Sequence, residues 1–159
     1  MQEKNSVKIY TDGAAKGNPG RAGWGAVFIF GKEVIEIGGG VGHATNNQME
    51  LTAPIEALKY LKKLSKQDLV KNNIEIVSDS KYVILGITEW IFNWQKNNWR
   101  NATKKPVLNK ELWEELYKLT QDLKPRWTYV KGHNGDKYNE RADEIATSFA
   151  DGEPVVLKK

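Results

Sequence analysis

The sequence predicts an α/β domain: one five-stranded mixed sheet with helices on both faces. In it, three antiparallel strands come first and two parallel strands are added later. Two observations carry this. The first third of the chain alternates apolar and polar residues between turn signals, which is strand periodicity. The remainder interleaves short strand patterns with helical ones, and such crossovers build parallel pairings with helices over the sheet. The order is β-β-β-α-β-α-α-α-β-α.

Val7 to Asp12 alternates and forms the first strand, and Gly13 to Gly20 reads as a loop built around Gly17-Asn18-Pro19-Gly20. Gly23 to Phe30 and Lys32 to Val41 are the next two strands, joined by a tight turn near Gly31-Lys32. A long helix follows, beginning near Asn46 or Asn47, with Ala53, Ala57, Leu58, Leu61 and Leu64 at helical spacing and Lys62, Lys63 and Lys66 near its end. Pro54 falls inside it, where a backbone bond is lost and a kink is expected.

Ile74 to Ser78 is a short strand. Tyr82 to Gly86 and Thr88 to Asn97 are short helical stretches, and residues 98–108 form a polar, basic connection. Lys110 to Leu123 is a helix with Leu112, Leu116 and Leu119 on one face, stopped by Pro125. Arg126 to Lys131 is the fifth strand. The last helix, Lys137 to Ala150, buries Ala142, Ile145, Ala146 and Phe149. Residues 1–150 are read as one domain, and 151–159 as a tail without pattern.

The chain has 159 residues, enough for one core without staples. It has no cysteine, which excludes a disulfide framework, a thiolate metal site and a cysteine nucleophile. Met1 to Ser6 carries no apolar h-region, and no run approaches the roughly 18 apolar residues of a membrane span. The expectation is a soluble, cytoplasmic protein. Its formal net charge of +4 is a mild excess, by itself weak evidence of a nucleic-acid partner. The glycine run from Gly38 to Gly42 lacks the Lys-Ser/Thr ending of a phosphate-binding loop and reads as strand end and turn.

Four acids stand where packing alone does not put them. Asp12 and Asp79 close strands, Glu50 lies on the apolar stripe of the long helix, and Asp143 adjoins Ala142 on the last one. Ligands of α/β sheets gather beyond the carboxyl ends of strands. Clustered carboxylates repel unless protonated or neutralised by a cation, and an all-oxygen donor set suits Mg²⁺ or Mn²⁺. Each acid also has a structural reading. Asp12 before Gly13 suits a turn, and Asp79 before Ser80 suits a helix cap. Glu50 is exposed if the helix starts later, and Asp143 pairs with Lys137 or Arg141. These residues alone reach as far as a candidate divalent-metal site.

The segments around the acids are more specific. Tyr10-Thr11-Asp12-Gly13 with Gly17-Asn18-Pro19-Gly20, then Thr45-Asn46-Asn47-Gln48-Met49-Glu50-Leu51, resemble the first two motifs of bacterial type 1 ribonucleases H. Ser78-Asp79-Ser80 with Tyr82-Val83 resembles the third. Val130-Lys131-Gly132-His133 with Asn139-Glu140-Arg141-Ala142-Asp143 resembles the last. They occur in the family's order, from about residue 7 to residue 150.

The resemblance implies a ribonuclease H-like fold. It also implies an endonuclease that cuts the RNA strand of an RNA–DNA hybrid with two Mg²⁺ ions, Mn²⁺ being an alternative, leaving 5′-phosphate and 3′-hydroxyl ends. Asp12, Glu50, Asp79 and Asp143 match the catalytic, metal-binding acids. His133 matches a loop histidine that aids proton transfer or product release. Gly13, Asn18, Asn46 and Asn47 match contacts to the hybrid, and Thr45 and Asn109 match a pocket for a DNA-strand phosphate. A monomer without an obligate protein partner is expected, and no separate hybrid-binding module ahead of the first strand.

Two positions depart from the family's pattern. His43 stands where an arginine commonly lines the phosphate pocket, and a neutral imidazole binds phosphate less firmly than a guanidinium. Lys81 stands where a glutamine near the substrate is common.

Trp90 and Trp94 are one helical turn apart, and Trp99 follows, with Lys96, Arg100, Lys104 and Lys105 interleaved. Cations beside aromatics suit a nucleic-acid strand, whereas tryptophans at that spacing also suit core anchors. The segment resembles the family's basic protrusion, which grips the DNA strand. Other classes compete with the hybrid nuclease. A resolvase- or integrase-like nuclease would share the acids, and a binding module without catalysis would have lost one.

Overall fold

The computed structural model describes residues 6–64, 73–132 and 134–159. Lys66 and His133, both singled out in the sequence, lie outside the described residues. β1 (Val7–Ala15), β2 (Gly20–Phe30) and β3 (Glu33–Ala44) precede α1 (Asn46–Leu64) and β4 (Ile74–Ser78). Then come α2 (Lys81–Leu85), a π-helical turn (Gly86–Trp90) and α3 (Ile91–Lys96). α4 (Lys110–Leu123), β5 (Arg126–Tyr129) and α5 (Lys137–Asp151) follow. The sheet order is β3-β2-β1-β4-β5. β1, β2 and β3 pair antiparallel, and β4 and β5 are added in parallel. That is the mixed sheet the sequence predicts.

Both faces of the sheet are covered. Val7, Ile9, Ala26, Phe28, Ile74 and Ile76 pack with α1, α4 and Trp113 on one side. Tyr10, Val27 and Val77 pack with Ala142 and Ile145 of α5 on the other. Alternate residues of one strand thus enter opposite cores, which is the period-2 geometry of a strand buried on both faces. Pro54 is accommodated within α1 and is itself buried.

The structure differs from the sequence reading at several places. β1 runs on to Ala15 and pairs with β2 as far as Ala15↔Ala22, so the loop narrows to residues 16–19. The two helical stretches after β4 form one continuous run, because the π-helical turn bridges them. There Gly86 is required: a Cβ would sit 2.0 Å from the Trp113 ring. Trp113, fully buried, anchors α4 beside Leu116, Leu119 and Leu123, while Leu112 is only half-buried. β5 ends at Tyr129, short of Lys131.

Gly38 to Gly42 is not a turn. It lies inside β3, and Gly38 and Gly40, with Gly23 and Gly25 of β2, floor α5. Added Cβ atoms would meet the Ala146 carbonyl at 2.4 Å from Gly23 and Ile145 Cγ2 at 2.6 Å from Gly38. The small residues let a helix lie directly on the sheet backbone. Residues 153–158 are also not free of structure. Val155 and Leu157 pack against the α5 core, and the Glu36 N–H donates to the Lys158 carbonyl at 2.7 Å.

Gly23→Ala places its methyl against α5 backbone, which cannot rotate away. Such overpacking costs about 1–3 kcal/mol. Denaturant unfolding is expected to show a loss of that size, and an unchanged midpoint would mean that α5 stands further from the sheet.

Candidate active site

The parallel ladder between β1 and β4 ends at Thr11↔Ser78. The next residues on the two strands are Asp12 and Asp79. Here a central strand has an antiparallel neighbour on one side and a parallel one on the other. It is the kind of place where ligands bind in such sheets. The acids therefore stand side by side, although β1 itself continues beyond Asp12 toward β2.

Glu50 arrives from α1 through a close backbone approach. A Cβ on Gly13 would lie 2.4 Å from the Met49 carbonyl carbon and 2.5 Å from the Glu50 nitrogen. Only glycine permits this contact. The start of α1 is fixed by a reciprocal cap: Gln48 N–H donates to Thr45 Oγ1 at 3.1 Å, and Thr45 N–H to Gln48 Oε1 at 2.9 Å. With that start, Glu50 turns inward and is half-buried.

Carboxylate oxygens of Asp12, Glu50 and Asp79 all lie within 4.8 Å of one another. Asp12 is nearly fully buried. Its carboxyl is pushed up to about 10, first by burial and then by the charges of Glu50, Asp79 and Asp143, against the bond from Gly13 N–H. Glu50 is pushed up to about 8, chiefly by burial and then by Asp79; bonds with Asp12 and Gly13 oppose the rise. Asp143 thus acts electrostatically on both, while standing outside the tight group of three.

The cap reading of Asp79 falls to its neighbour: Ser80 Oγ accepts the Val83 N–H at 3.2 Å. Arg141 directs its guanidinium to Glu36 and Glu144, not to Asp143. Asp12 sits within β1 and not in a turn. Three hard oxygen donors in one cleft, two of them held away from ionisation first by burial and then by neighbouring carboxylates, suit a hard divalent cation. A bound dication would supply a charge that neutralises Asp12 and Glu50.

Gly132 completes the neighbourhood. A Cβ there would lie 2.7 Å from Asp79 Oδ2, so the backbone before His133 rests against this acid. Nothing in the sequence reading marked that contact beyond the glycine itself.

The remaining predicted residues form two groups. Asn18 Oδ1 accepts the Asn46 N–H at 2.9 Å, and Asn46 and Asn47 are exposed at the start of α1. Gln48 Nε2 donates to Asn109 Oδ1 at 3.3 Å, and Asn109 Nδ2 to the Tyr82 hydroxyl at 3.2 Å. Trp113 Nε1 donates to the same hydroxyl at 3.2 Å. Thr45 and Asn109 are therefore joined through Gln48, with Tyr82 behind them. Sequence reasoning gave neither Gln48 nor Tyr82 a role, though the Thr-x-x-Gln spacing is a readable cap signal. His43 is exposed just ahead of this group.

The second group is the basic segment. Trp94 is half-buried among Trp90, Trp99 and Trp113, with ring centroids 6.0, 6.2 and 5.3 Å away. Trp90 is 36% exposed. Lys96, Arg100, Lys104 and Lys105 are all exposed. The loop is tightly bonded: Arg100 Nη1 donates to the Lys104 carbonyl at 3.0 Å, and Asn101 Oδ1 accepts from the backbone of Thr103 and Lys105. Asn98, Trp99 and Lys104 have left-handed backbone, which such bonding must hold in place.

Comparison with known proteins gives the same direction. The RNase H family model matches residues 4–151. A ribonuclease H of Bradyrhizobium diazoefficiens is 51% identical over 146 residues, covering 92% of this chain and 90% of that protein. A ribonuclease H of Hydrogenovibrio crunogenus is 48% identical over 151 residues, or 95% and 97% of the two chains. The crystal structure of LC11-RNase H1, isolated from compost, in complex with RNA/DNA hybrid superposes with a TM-score of 0.71 at 26% identity. It covers 92% of this chain and 98% of that one.

The raised carboxyls have a consequence for stability without a cation. The folded state holds protons on Asp12 and Glu50 that the unfolded state has already released. The acids ordinarily titrate at 3.8 and 4.5 and here near 10 and 8. Stability is therefore expected to fall as pH rises above about 4, with the Glu50 contribution exhausted near 8 and the Asp12 contribution near 10. Asp12→Asn is expected to flatten this decline and to raise the melting temperature at pH 8 in chelator. An identical decline in that variant would place its source elsewhere.

Proposed function

The chain belongs to the ribonuclease H family, and on that premise we propose that it hydrolyses the RNA strand of RNA–DNA hybrids at the acid cluster. The observation that carries this is the convergence of Asp12, Glu50 and Asp79 within 4.8 Å, with Asp143 adding its charge. Asp12, Glu50, Asp79 and Asp143 would hold two divalent ions, Mg²⁺ or alternatively Mn²⁺. When bound, such a pair supplies an activated water and charge stabilisation for the leaving oxygen, giving 5′-phosphate and 3′-hydroxyl ends.

The chain's own residues perform the positioning. Buried Asp12, fixed by the Gly13 N–H at 2.9 Å, is the shared centre of the cluster. Glu50 and Asp79 flank it from α1 and from the end of β4. His133, which follows Gly132 in the sequence, is the group suited to carry a proton near neutral pH. Its chain neighbour Gly132 already lies against Asp79.

Substrate choice follows from the two outer groups. Gly13, Asn18, Asn46 and Asn47 would meet the minor groove, where the 2′-hydroxyl distinguishes the RNA strand. Thr45 and Asn109, locked together by Gln48, would receive a phosphate of the DNA strand. Trp90, Trp94, Lys96, Arg100, Lys104 and Lys105 would hold that strand further along. LC11-RNase H1 carries a hybrid in its crystal structure, which supports the same ligand here. No helix among the described residues is long and apolar enough to cross a membrane. The proposed setting is the cytoplasm, with the chain acting as a monomer.

Labelled RNA–DNA hybrid, duplex DNA and duplex RNA, each incubated with Mg²⁺, test the reading. Cleavage is expected only in the RNA strand of the hybrid; equal cleavage of duplex DNA would reject it. In the same system, the double variant Lys104→Ala, Lys105→Ala should bind hybrid more weakly. Its log–log salt slope should be shallower by up to about two phosphate contacts. An unchanged slope would show that these lysines face only solvent.

A further inference from the structure

Asp143 differs from the other three acids in how it is placed. Asp12, Asp79 and Glu50 are fixed by strand pairing and by the Gly13 contact. Asp143 depends on where α5 lies; α5 packs on Tyr10, Val27 and Val77 and on a glycine floor, apolar contacts that carry no polar tie to fix its exact place.

A charged knot holds that helix two residues before Asp143. Arg141 Nε and Nη2 donate to the two carboxylate oxygens of Glu36 on β3, at 2.8 and 2.9 Å. The same Nη2 donates to the Val156 carbonyl at 3.0 Å, and Nη1 to Glu144 at 2.9 Å. Glu36 is 7% exposed, and its Oε1 also accepts the Lys158 N–H at 2.9 Å. Its own backbone N–H donates to the Lys158 carbonyl. The segment after α5 is tied back a second time where Val155 N–H donates to Ser148 Oγ at 3.1 Å. The two-pronged carboxylate–guanidinium pair is a geometrically specific contact, and Glu36 is correspondingly held below the usual carboxylate range by Arg141.

We propose that Arg141, Glu36 and the strap formed by residues 153–158 are a positioning device for Asp143, setting its reach toward Asp12 and Glu50 and hence the cation affinity of the cluster. The inference rests on the reading of that cluster as a cation site. Glu36 is joined at once to the helix that carries Asp143 and to the strap that closes over it. β3 in turn is paired to β2, and β2 to β1, which carries Asp12. A single frame thus runs from one acid to the other. Groups that hydrogen-bond a metal ligand typically change metal affinity or activity by about 10–100-fold when removed; Arg141 and Glu36 act one step further out, through the placement of α5, so the low end of that range applies.

The test compares Arg141→Lys, a chain ending after Gly152, and Leu123→Ala. The first keeps the charge and loses the fork. The second removes the strap and leaves the Arg141–Glu36 pair intact, so it serves if Arg141→Lys does not fold. The third is a core truncation at the far end of α4 that lowers stability without touching the knot. Mn²⁺ alone is the probe, its free fraction counted by electron paramagnetic resonance in the absence of hybrid. Amide hydrogen exchange in α5 is followed in parallel.

Mn²⁺ binding weaker by about 10-fold in Arg141→Lys or in the shortened chain, with faster exchange around Asp143 and normal binding in Leu123→Ala, is the expected result. Unchanged binding in both knot variants overturns the proposal, as does an equal loss in Leu123→Ala. Because this readout needs no cleavage, it decides the positioning role even if hybrid hydrolysis fails. Where hydrolysis is present, the Mg²⁺ requirement of kcat should rise while KM for hybrid stays near its original value.

Discussion

Gly13 allows the backbone of β1 to lie against α1 at a distance that no side chain would tolerate, and that contact sets Glu50 beside Asp12. Most of what is distinctive in the molecule follows from this juxtaposition. Carboxyl groups are brought into a buried cleft where burial, together with the charges of Asp79 and Asp143, disfavours ionisation of Asp12 and Glu50. A fold that only needed stability would not retain this. That cost would be recovered when a dication enters, so the repulsion within the cluster and its proposed affinity for a cation are two aspects of one arrangement.

The rest of the fold serves to hold these groups. The sheet places Asp12 and Asp79 on adjacent strands just past their last parallel pair. Thr45 and Gln48 cap α1, which fixes where its second turn points. The glycines of β2 and β3 let α5 settle directly on the sheet backbone, and the Arg141–Glu36 pair then sets its place. The basic segment is held on its own: left-handed residues and hydrogen bonds within the loop tie it together, so its lysines project from a bonded turn.

Much of this was legible in the sequence, for physical reasons. Strands buried on both faces and helices with apolar stripes have strong periodicities, so the element order and the ends of β4 and α4 matched closely. The acids were visible because carboxylates at strand ends and on an apolar stripe need a reason. Glycine was the commonest source of error. Gly38 to Gly42 reads as strand end and turn, yet the run lies wholly inside β3, where Gly38 and Gly40 serve a helix packed on the strand, and close approach leaves no local pattern. Trp113 was missed as the main anchor of α4 because its partners, Gly86 and Tyr82, are distant in sequence. The strap after α5 is held partly by backbone carbonyls, which every residue possesses. The Glu36–Arg141 pair spans 105 residues and has no spacing that announces it.

The central claim is that the four acids form one cation site at the end of the β1–β4 ladder. Anomalous diffraction at the manganese edge, from a crystal of an inactive variant such as Asp79→Asn soaked in Mn²⁺ with hybrid bound, addresses it most directly. The account predicts anomalous density among Asp12, Glu50 and Asp143. In the unmodified cluster, with a hybrid that cannot be cleaved, it predicts two peaks about 4 Å apart. A hybrid seated on the basic segment with no anomalous density at these acids would contradict it.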